Sequence, residues 1–417
     1  MKASIITIGD ELLIGQTVDT NSAWMGSELS QAGFDVQRSI SIHDRREDIL
    51  AELGAAARIN DVVLITGGLG PTSDDITKQT LCEFFGTRLV MNSKVLEMIT
   101  TMMSRRNFPL NDNNRRQAEV PESCRVLENA TGTAPGMWFE KDNTIFVSMP
   151  GVPFEMKHIM SVHVLPELKR RFTTQVILHR NIMTFGTYEA KLSEILTDFE
   201  KELPGEVKLA YLPSWGVIKL RLTCTGNDIG EVEEIISSQV EKLYSIIPEY
   251  IYAENEETLE ATVGKLLKMN HKTLSTAESC TGGEIASMIT GVSGSSAWYK
   301  GSVVAYSNEI KTKFLGVPQE DIESYGAVSE NVVRAMAEGA LSRFGSDYAI
   351  ATSGIAGPDG GSELKPVGTV WIAVASMHGT VTDHKVLGTE RISNIRRFSL
   401  NALNLMRREL LAHEKKS

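Results

Sequence analysis

Several things are scarce in this sequence. Its 417 residues include four cysteines, Cys82, Cys124, Cys224 and Cys280, widely spaced and without a C-x-x-C pair. That usage suits a reducing compartment and argues against both a disulfide framework and a zinc knuckle. No apolar run is long enough to span a bilayer. Met1-Lys2-Ala3-Ser4 leads straight into a strand-like segment, so no signal peptide is expected and the expected location is cytoplasmic. Positive charge is in deficit, with 42 Lys and Arg against 53 Asp and Glu and a net charge of −11. A broad nucleic-acid-binding face is therefore not expected. Histidine is sparse as well. The four in the C-terminal third, His271, His378, His384 and His413, sit in no motif-like setting, so a serine nucleophile there has no obvious histidine partner. The chain does have length, enough for two or three cores.

In the C-terminal third, T-A-E-S-C-T-G-G (276–283) follows a strand-like run from Lys272 and precedes a helix-like pattern, Glu284 to Ile289. Ser279 would sit where strand turns into helix, near backbone N–H groups that favour negative charge. Gly282 and Gly283 would let a ligand approach the main chain. Taken alone, Ser279 reads as a helix cap before it reads as a nucleophile. Cys280 beside it reads as a small packing residue. Downstream, G-S-V-V-A-Y-S-N-E-I-K-T-K (301–313) holds Val303-Val304-Ala305, which reads as a short buried strand, then Tyr306 and Lys311. A lysine whose pKa is lowered by burial can serve as the base of a serine nucleophile, although a lone lysine is more simply a solvated one. Trp298 and Tyr299 read as core residues before ring-stacking ones. The third piece, Thr352 to Val370, is a long glycine-rich loop between two strands, of the kind that presents amides to oxyanions or phosphates. Ser329 is expected to cap a helix, Glu330 to Phe344, and Arg391 to Leu411 to form the last one.

The N-terminal stretch alternates strands and helices, which predicts a mostly parallel α/β sheet. Strands are expected at Ser4–Ile8, Phe34–Ile42 and Asp61–Thr66. Thr20-Asn21-Ser22 should cap one helix, ending near Gly33, and Asp44 to Glu47 should form a capping box for the next. The third strand delivers G-G-L-G-P-T-S-D-D-I-T (67–77). Ligands bind outside the carboxyl ends of such strands, and glycine amides beside Asp74 and Asp75 suggest a phosphate ligand held with a hard divalent cation such as Mg²⁺. Asp10 and Glu11 follow the first strand and could converge on the same pocket.

Between the two, Val176 to Tyr252 reads as a small α+β module. Val217 to Thr223 alternates as an edge strand with one wet face, and Asp228 to Leu243 reads as a long amphipathic helix. The module has no G-x-x-G loop of the kind that grips RNA in KH domains, so a spacing or dimer-contact role is expected. Glu254-Asn255-Glu256-Glu257 reads as an exposed acidic linker, Leu259 to Met269 as a helix opening the last domain, and Lys415-Lys416 as a frayed tail.

The motifs T-A-E-S-C-T-G-G, G-S-S-A-W-Y-K-G-S-V-V-A-Y-S-N and S-G-I-A-G-P-D-G-G…K-P-V-G-T-V resemble the C-terminal domain of the CinA family, a nicotinamide-nucleotide amidohydrolase. T-I-G-D-E-L-L-I-G-Q-T-V-D-T-N-S, T-G-G-L-G-P-T-S-D-D-I-T, G-T-A-P-G-M and M-P-G-V-P-F-E-M resemble its N-terminal domain, which is similar to the molybdopterin-binding domain. The resemblance covers essentially the whole chain. It implies three parts: a molybdopterin-binding-like three-layer α/β domain over 1–172, a KH-like α+β module over 176–253 and an α/β deamidase domain over 257–415. It implies hydrolysis of nicotinamide mononucleotide to nicotinate mononucleotide and ammonia, without cofactor, by Ser279 with Tyr306 and Lys311. Thr281, Gly282, Gly283, Asn308, Gly354, Gly357, Gly360 and Gly361 would bind that substrate. It also implies metal-dependent cleavage of ADP-ribose to AMP and ribose 5-phosphate. Gly67, Gly68, Gly70, Thr72, Asp10, Glu11 and Asn21 would hold the ligand, and Asp74 and Asp75 the metal. Where molybdenum-cofactor proteins carry an Arg-Asp pair, this chain has Asp74-Asp75, a departure that bears on metal use and pterin binding. A homodimer is implied. The competing expectation is a competence- or DNA-damage-associated adaptor for a recombination protein, with one or both sites silent.

Overall fold

The computed structural model describes residues 1–70, 75–105, 107–172 and 176–414. By internal contacts the chain forms two compact units. One is Met1–Leu178 with Thr225–Glu233; the other is His179–Cys224 with Glu234 onward. Among the described residues, no helix is long and apolar enough to cross a membrane.

The first unit contains β1 (Lys2–Ile8), β2 (Asp35–Ile42), β3 (Val62–Thr66), β4 (Leu89–Met91), β5 (Glu119–Pro121), β6 (Arg125–Leu127), β7 (Gly136–Lys141) and β8 (Thr144–Met149). Six of these form one sheet in the order β2-β1-β3-β8-β7-β6, and β4 pairs with β5 separately. β2, β1, β3 and β8 run parallel; β7 and β6 are antiparallel additions. The central strands bury both faces, as parallel strands under helices must. Ala3, Ile5, Val62, Leu64 and Val147 face one core; Ile6, Ile8, Val63, Ile65 and Phe146 face the other. Helices 20–31 and 153–171 cover the first face, and helices 46–57 and 77–85 the second. From β1 the chain moves to β2 on one side and to β3 on the other, so β1 is the switch point where such sheets open a ligand crevice.

Two capping expectations fail here. Helix Thr20–Gln31 is capped by Asp19, whose carboxylate accepts from Ser22 N, and not by the 20–22 triplet. Helix Arg46–Ala57 has Arg45 at its N-cap with no side-chain cap, so no capping box forms. In the first case a carboxylate one residue upstream takes the same amide. Gly33 is the expected left-handed terminator, at φ 83°.

The second unit holds two sheets. β9 (Val176–Phe185), β10 (Val207–Ser214), β11 (Val217–Gly226) and β12 (Ile251–Glu254) form one in the order β10-β11-β9-β12, with helix Ile229–Ile246 following β11. β11 alternates as expected, burying Ile218, Leu220, Leu222 and Cys224, but it is an interior strand and not an edge. Alternation reports one buried face; it carries no information on how many strands flank that face. Arg407, buried on the last helix, donates to Ile251 O at 2.8 Å and so ties the last helix to the small sheet. The acidic turn 254–257 is half-exposed and engaged: Glu256 pairs with Lys219 at 2.7 Å, and Glu257 with Lys265.

The other sheet comprises β13 (Leu274–Glu278), β14 (Tyr299–Val304), β15 (Tyr348–Gly354), β16 (Thr369–Ser376) and β17 (Gly379–Val386), in the order β14-β13-β15-β16-β17. β14, β13 and β15 are parallel, with β13 the switch point; β16 and β17 are antiparallel. One face is large and aliphatic: Leu274, Ile350, Val370 and Ile372 pack with helices 259–269, 284–290 and 391–414. The other is alanine-rich, with Ala277, Ala349, Ala351, Ala373 and Ala375 under helix Glu330–Phe344. Small side chains there let that helix lie close. Gly339 on it passes so near helix Asn308–Leu315 that a Cβ would fall 1.9 Å from Leu315 O. Ser329 caps helix 330–344 through Val332 N, as expected. β14 is an edge strand and only half-buried, with Val304 45% exposed. It has neighbours on one side alone, which corrects the expectation of a buried strand.

Candidate active site

In the second unit, three parallel strands end side by side, with Glu278 paired in register to Val304 and to Thr352. Ser279 leaves β13 with its N–H donating to Thr352 O at 3.0 Å, and its side chain is largely buried. The turn 279–283 passes through Gly282 (φ 63°) and Gly283 (φ 100°) into helix Glu284–Thr290. These left-handed angles explain both glycines. The amides expected to point at a ligand do not all do so. Glu278, fully buried, accepts from Gly283 N (3.0 Å), Ile285 N (3.1 Å), Ala286 N (2.8 Å) and Thr281 Oγ1 (2.7 Å). A carboxylate folded back on the helix start thus engages the N–H groups assigned to an oxyanion. Thr281 also bonds Thr352 Oγ1 at 2.8 Å, stapling β13 to β15. Glu278 was not singled out from the sequence. Its only signal is an acid one residue before a Ser-x-x-Gly-Gly turn.

Lys311 is not a solvated lysine. It lies on helix Asn308–Leu315, capped by Ser307, with 2% of its surface exposed. Its Nζ donates to Ala305 O at 3.0 Å and to Tyr306 O at 3.5 Å. Burial lowers its pKa below the ordinary lysine value. Cys280 itself is buried, its thiol pushed up to about 12 by desolvation, which makes it a packing residue and no nucleophile. Tyr306 is 63% exposed, and its hydroxyl accepts from Arg391 at 3.1 Å. Asn308 lies exposed at the first turn of the same helix.

The glycine-rich loop divides. Gly354 touches the Ser279 turn: a Cβ there would meet Cys280 Sγ at 3.1 Å and Thr369 O at 2.5 Å. Gly357, buried, offers its carbonyl to Arg391 at 2.8 Å. Asn394 donates to Ala356 O and Gly388 O, fixing the loop base. Gly360 and Gly361 lie on the exposed tip. Ser279, Thr281, Gly282, Gly283 and Gly354 are therefore brought together, while Gly360 and Gly361 stand apart. Arg391 and Asn394 had no signal in the sequence: Gly357 and Tyr306, which Arg391 bonds, and Ala356, which Asn394 bonds, lie tens of residues away.

In the first unit, a pocket of about 110 Å³ opens at the ends of β1 and β3, lined by Glu11, Asp19, Asn21, Gly67 and Gly151 among others. Asn21 is buried. Its Nδ2 donates to Gly151 O at 2.7 Å, while its Oδ1 is buried with no partner among the described residues. Gly67 has φ 112°, and a Cβ would lie 2.1 Å from Ile8 O, so only glycine lets the loop press against β1. Gly68, at φ 63°, is as tightly confined by Thr77. Gly70 N donates to Asp75 Oδ1 at 2.9 Å. Asp10 is exposed and bonded to His43 at 2.7 Å, which holds its carboxyl below the usual range. Thr72 and Asp74 lie outside the described residues. Lys78, not singled out from sequence, donates to Gln117 O (2.9 Å) and Glu119 O (3.1 Å), and burial lowers it to about 8.

Among the described residues, no group of three or more His, Cys, Asp or Glu side chains gathers to hold a metal. An Mg²⁺-type ion does not need one, since one or two carboxylates plus ligand phosphates suffice. The exposed Glu11, the orphaned Asn21 carbonyl oxygen and the Asp75 carboxylate beside the glycine loop are hard oxygen donors of that kind.

Comparison with known proteins matches three parts of the chain. Residues 4–170 match the family profile "Probable molybdopterin binding domain", residues 179–253 "Damage-inducible protein CinA KH domain", and residues 256–410 "CinA C-terminal domain". A CinA-like protein of Cytophaga hutchinsonii is 49% identical over 98% of this chain and 98% of its own length. The chain belongs to the CinA family. A second CinA-like protein, from Flavobacterium psychrophilum, is 46% identical over all of both chains. Among solved structures, the competence/damage inducible protein CihA of Agrobacterium tumefaciens is similar at 37% identity and a TM-score of 0.36, covering 37% of this chain and 93% of that one. This CinA-family chain thus combines a molybdopterin-binding-like domain, a KH-like module and a CinA C-terminal domain.

Proposed function

We propose that this protein is a bifunctional hydrolase of pyridine-nucleotide recycling. Its second unit removes the amide of nicotinamide mononucleotide, and its first unit cleaves ADP-ribose to AMP and ribose 5-phosphate. The observation that carries the deamidase reading is Lys311, a buried amine with a lowered pKa and two backbone carbonyls as partners. A neutral amine has two N–H bonds and one lone pair. Donation to Ala305 O and Tyr306 O leaves the lone pair to take a proton.

Ser279 Oγ attacks the carboxamide carbon as its proton passes to Lys311. The resulting oxyanion is met by backbone amides of the turn after Ser279 that Glu278 does not engage, and by the Gly354 end of the loop. One such donor is typically worth roughly two to three orders of magnitude in rate. Lys311 returns the proton to the amide nitrogen, the C–N bond breaks and ammonia leaves. Water then adds to the acyl-serine, giving its proton to Lys311, and nicotinate mononucleotide departs with Ser279 restored.

In the first unit, a divalent cation held by Asp75 and Asp74 would supply charge neutralisation on the diphosphate. Gly67 and Gly68 shape the loop so that main chain meets phosphate, and the free Asn21 oxygen would accept from a ligand hydroxyl.

The test is ammonia release from nicotinamide mononucleotide by purified, metal-stripped protein, wild type and Ser279→Ala. Release by the wild type without metal, lost by about four orders of magnitude in a variant of unchanged melting temperature, is the expected result. Full activity of the variant sinks the covalent mechanism, and a metal requirement for ammonia release sinks the serine-lysine assignment.

A further inference from the structure

The second unit contains a cavity of about 350 Å³ that none of the residues discussed above as catalytic lines. Its walls are the turn after β9, the β10–β11 hairpin tip, the end of β17 and the middle of the last helix. Three features of these walls point to a ligand.

The first is charge. Arg397, half-buried, and Arg408, exposed, both line the cavity. Among the described residues, neither has a carboxylate within 4 Å. Asp383, the acid in the same wall, is paired with Lys385 at 3.2 Å. In a chain of net charge −11, two uncompensated guanidinium groups facing one cavity are a place for an anion, and guanidinium forks suit phosphate.

The second is an aromatic in an unfavourable backbone state. Trp215 and Gly216 form the two-residue hairpin loop between paired Ser214 and Val217, with φ 51° and 89°. Such loops favour Asn-Gly, and a bulky residue at positive φ is a genuine outlier. Trp215 is nevertheless 52% exposed, its ring in the cavity wall and not in a core; Tyr188, 67% exposed, stands in the same wall. Strain of this kind tends to mark a functional position. The third is an unused hydroxyl: Thr187 Oγ1 is buried beside the cavity without a partner among the described residues.

We propose that this cavity binds a nucleotide, with its phosphate on Arg397 and Arg408 and its planar base on Trp215. The volume falls within the range of small-molecule sites, about 300 to 1,000 Å³. A nucleic-acid strand fits less well. It would need an extended basic groove, whereas acidic residues outnumber basic ones in the surrounding module, which also has no G-x-x-G loop.

The experiment is hydrogen–deuterium exchange of the full chain with 5′-AMP, adenosine, inorganic phosphate or a short single-stranded RNA. Exchange is read by peptide, so AMP bound near β1 and β3 is scored separately. Expected is AMP protection of 185–188, 214–217 and 397–408, with adenosine and phosphate each weaker. Arg397→Gln should weaken AMP binding there by about tenfold or more. Trp215→Asn should do the same while melting no lower than the wild type, because asparagine tolerates the left-handed angle. That variant separates loss of the ring from loss of the fold. Absence of protection at millimolar AMP overturns the proposal, as does protection untouched by both substitutions. Phosphate protecting as well as AMP would reduce the cavity to a bare anion site, and RNA protecting at lower nucleotide concentration than AMP would make it a strand site. Either result also overturns it.

Discussion

In the first unit the chain leaves its switch-point strand, β1, with a carboxylate in solvent, Asp10; in the second it leaves β13 with a carboxylate wholly buried, Glu278. Both sheets open their crevice where strand order reverses, and both set a glycine turn beside it. Yet Glu278 is surrounded by four donors from its own turn and helix, while Glu11 remains exposed at its pocket. An acid with its lone pairs filled by backbone N–H groups is a strut. An acid left in water beside phosphate-type amides repels an anionic ligand unless a cation joins them. The comparison teaches that the two crevices handle their acids differently: Glu278 has its lone pairs filled by its own turn and helix, whereas Asp10 and Glu11 face solvent, where the cation of the proposed function would join them.

The largest expected effect that breaks this contrast is at Lys311. Lys311→Met should lower deamidation by about a thousandfold, within the span of general acid–base contributions, and leave ADP-ribose cleavage unchanged. Burial lowers the folded-state pKa of Lys311, so below 10.5 the unfolded chain holds the extra proton first. Stability therefore rises with pH between the lowered value and 10.5, and is lost as pH falls through that window. Deamidation should follow the same limb, falling as the amine gains a proton and loses its lone pair. The methionine variant should show neither dependence and should melt no lower than the wild type at neutral pH, since an uncompensated buried amine is removed. Rate–pH profiles and thermal melts check this. A variant that melts far below the wild type would make Lys311 structural.

Next comes Glu278→Ala, which should cost about 3 kcal/mol, because four donors lose one buried acceptor. Urea unfolding reads it directly. Third is Asp75→Ala, expected to reduce metal-stimulated ADP-ribose cleavage about a hundredfold with ammonia release intact. Loss of both activities would mean that the sites are coupled or the fold is damaged.

Much of this architecture was legible because apolar spacing is a local signal. Ser4 to Ile8 and Asp61 to Thr66 read as strands, and Ser329 read as a cap. The glycine turns were legible because few other residues tolerate such angles. What could not be read was which partner arrives from a distance. Glu278 looks like a surface acid until its helix folds back over it. Lys311 sits in N-E-I-K-T-K, a polar string, and only the fold turns it inward onto Ala305 O and Tyr306 O. Asp19 competes with Thr20 for the same amide, a contest decided by one residue of backbone geometry. β14 looks buried in sequence because an edge strand and an interior strand can share one composition.

The smallest expected effect concerns Tyr306, and it sharpens which members of the Ser-Tyr-Lys set do the chemistry. A proton relay needs its hydroxyl between donor and acceptor. Tyr306 instead has a side chain 63% exposed, and its hydroxyl is bonded to Arg391, which in turn holds Gly357 O. What Lys311 contacts is the Tyr306 main-chain carbonyl, not the phenol. The geometry makes the hydroxyl a tether for the glycine loop through Arg391. Tyr306→Phe should then keep kcat within about tenfold and act chiefly on KM, since the substrate-side loop loosens while Ser279 and Lys311 stay in place. Arg391→Ala, which removes the other end of the tether, should reproduce that KM change and add little when combined with Tyr306→Phe, because both act on one link. A loss in kcat as deep as that of Lys311→Met would instead return the phenol to the proton path.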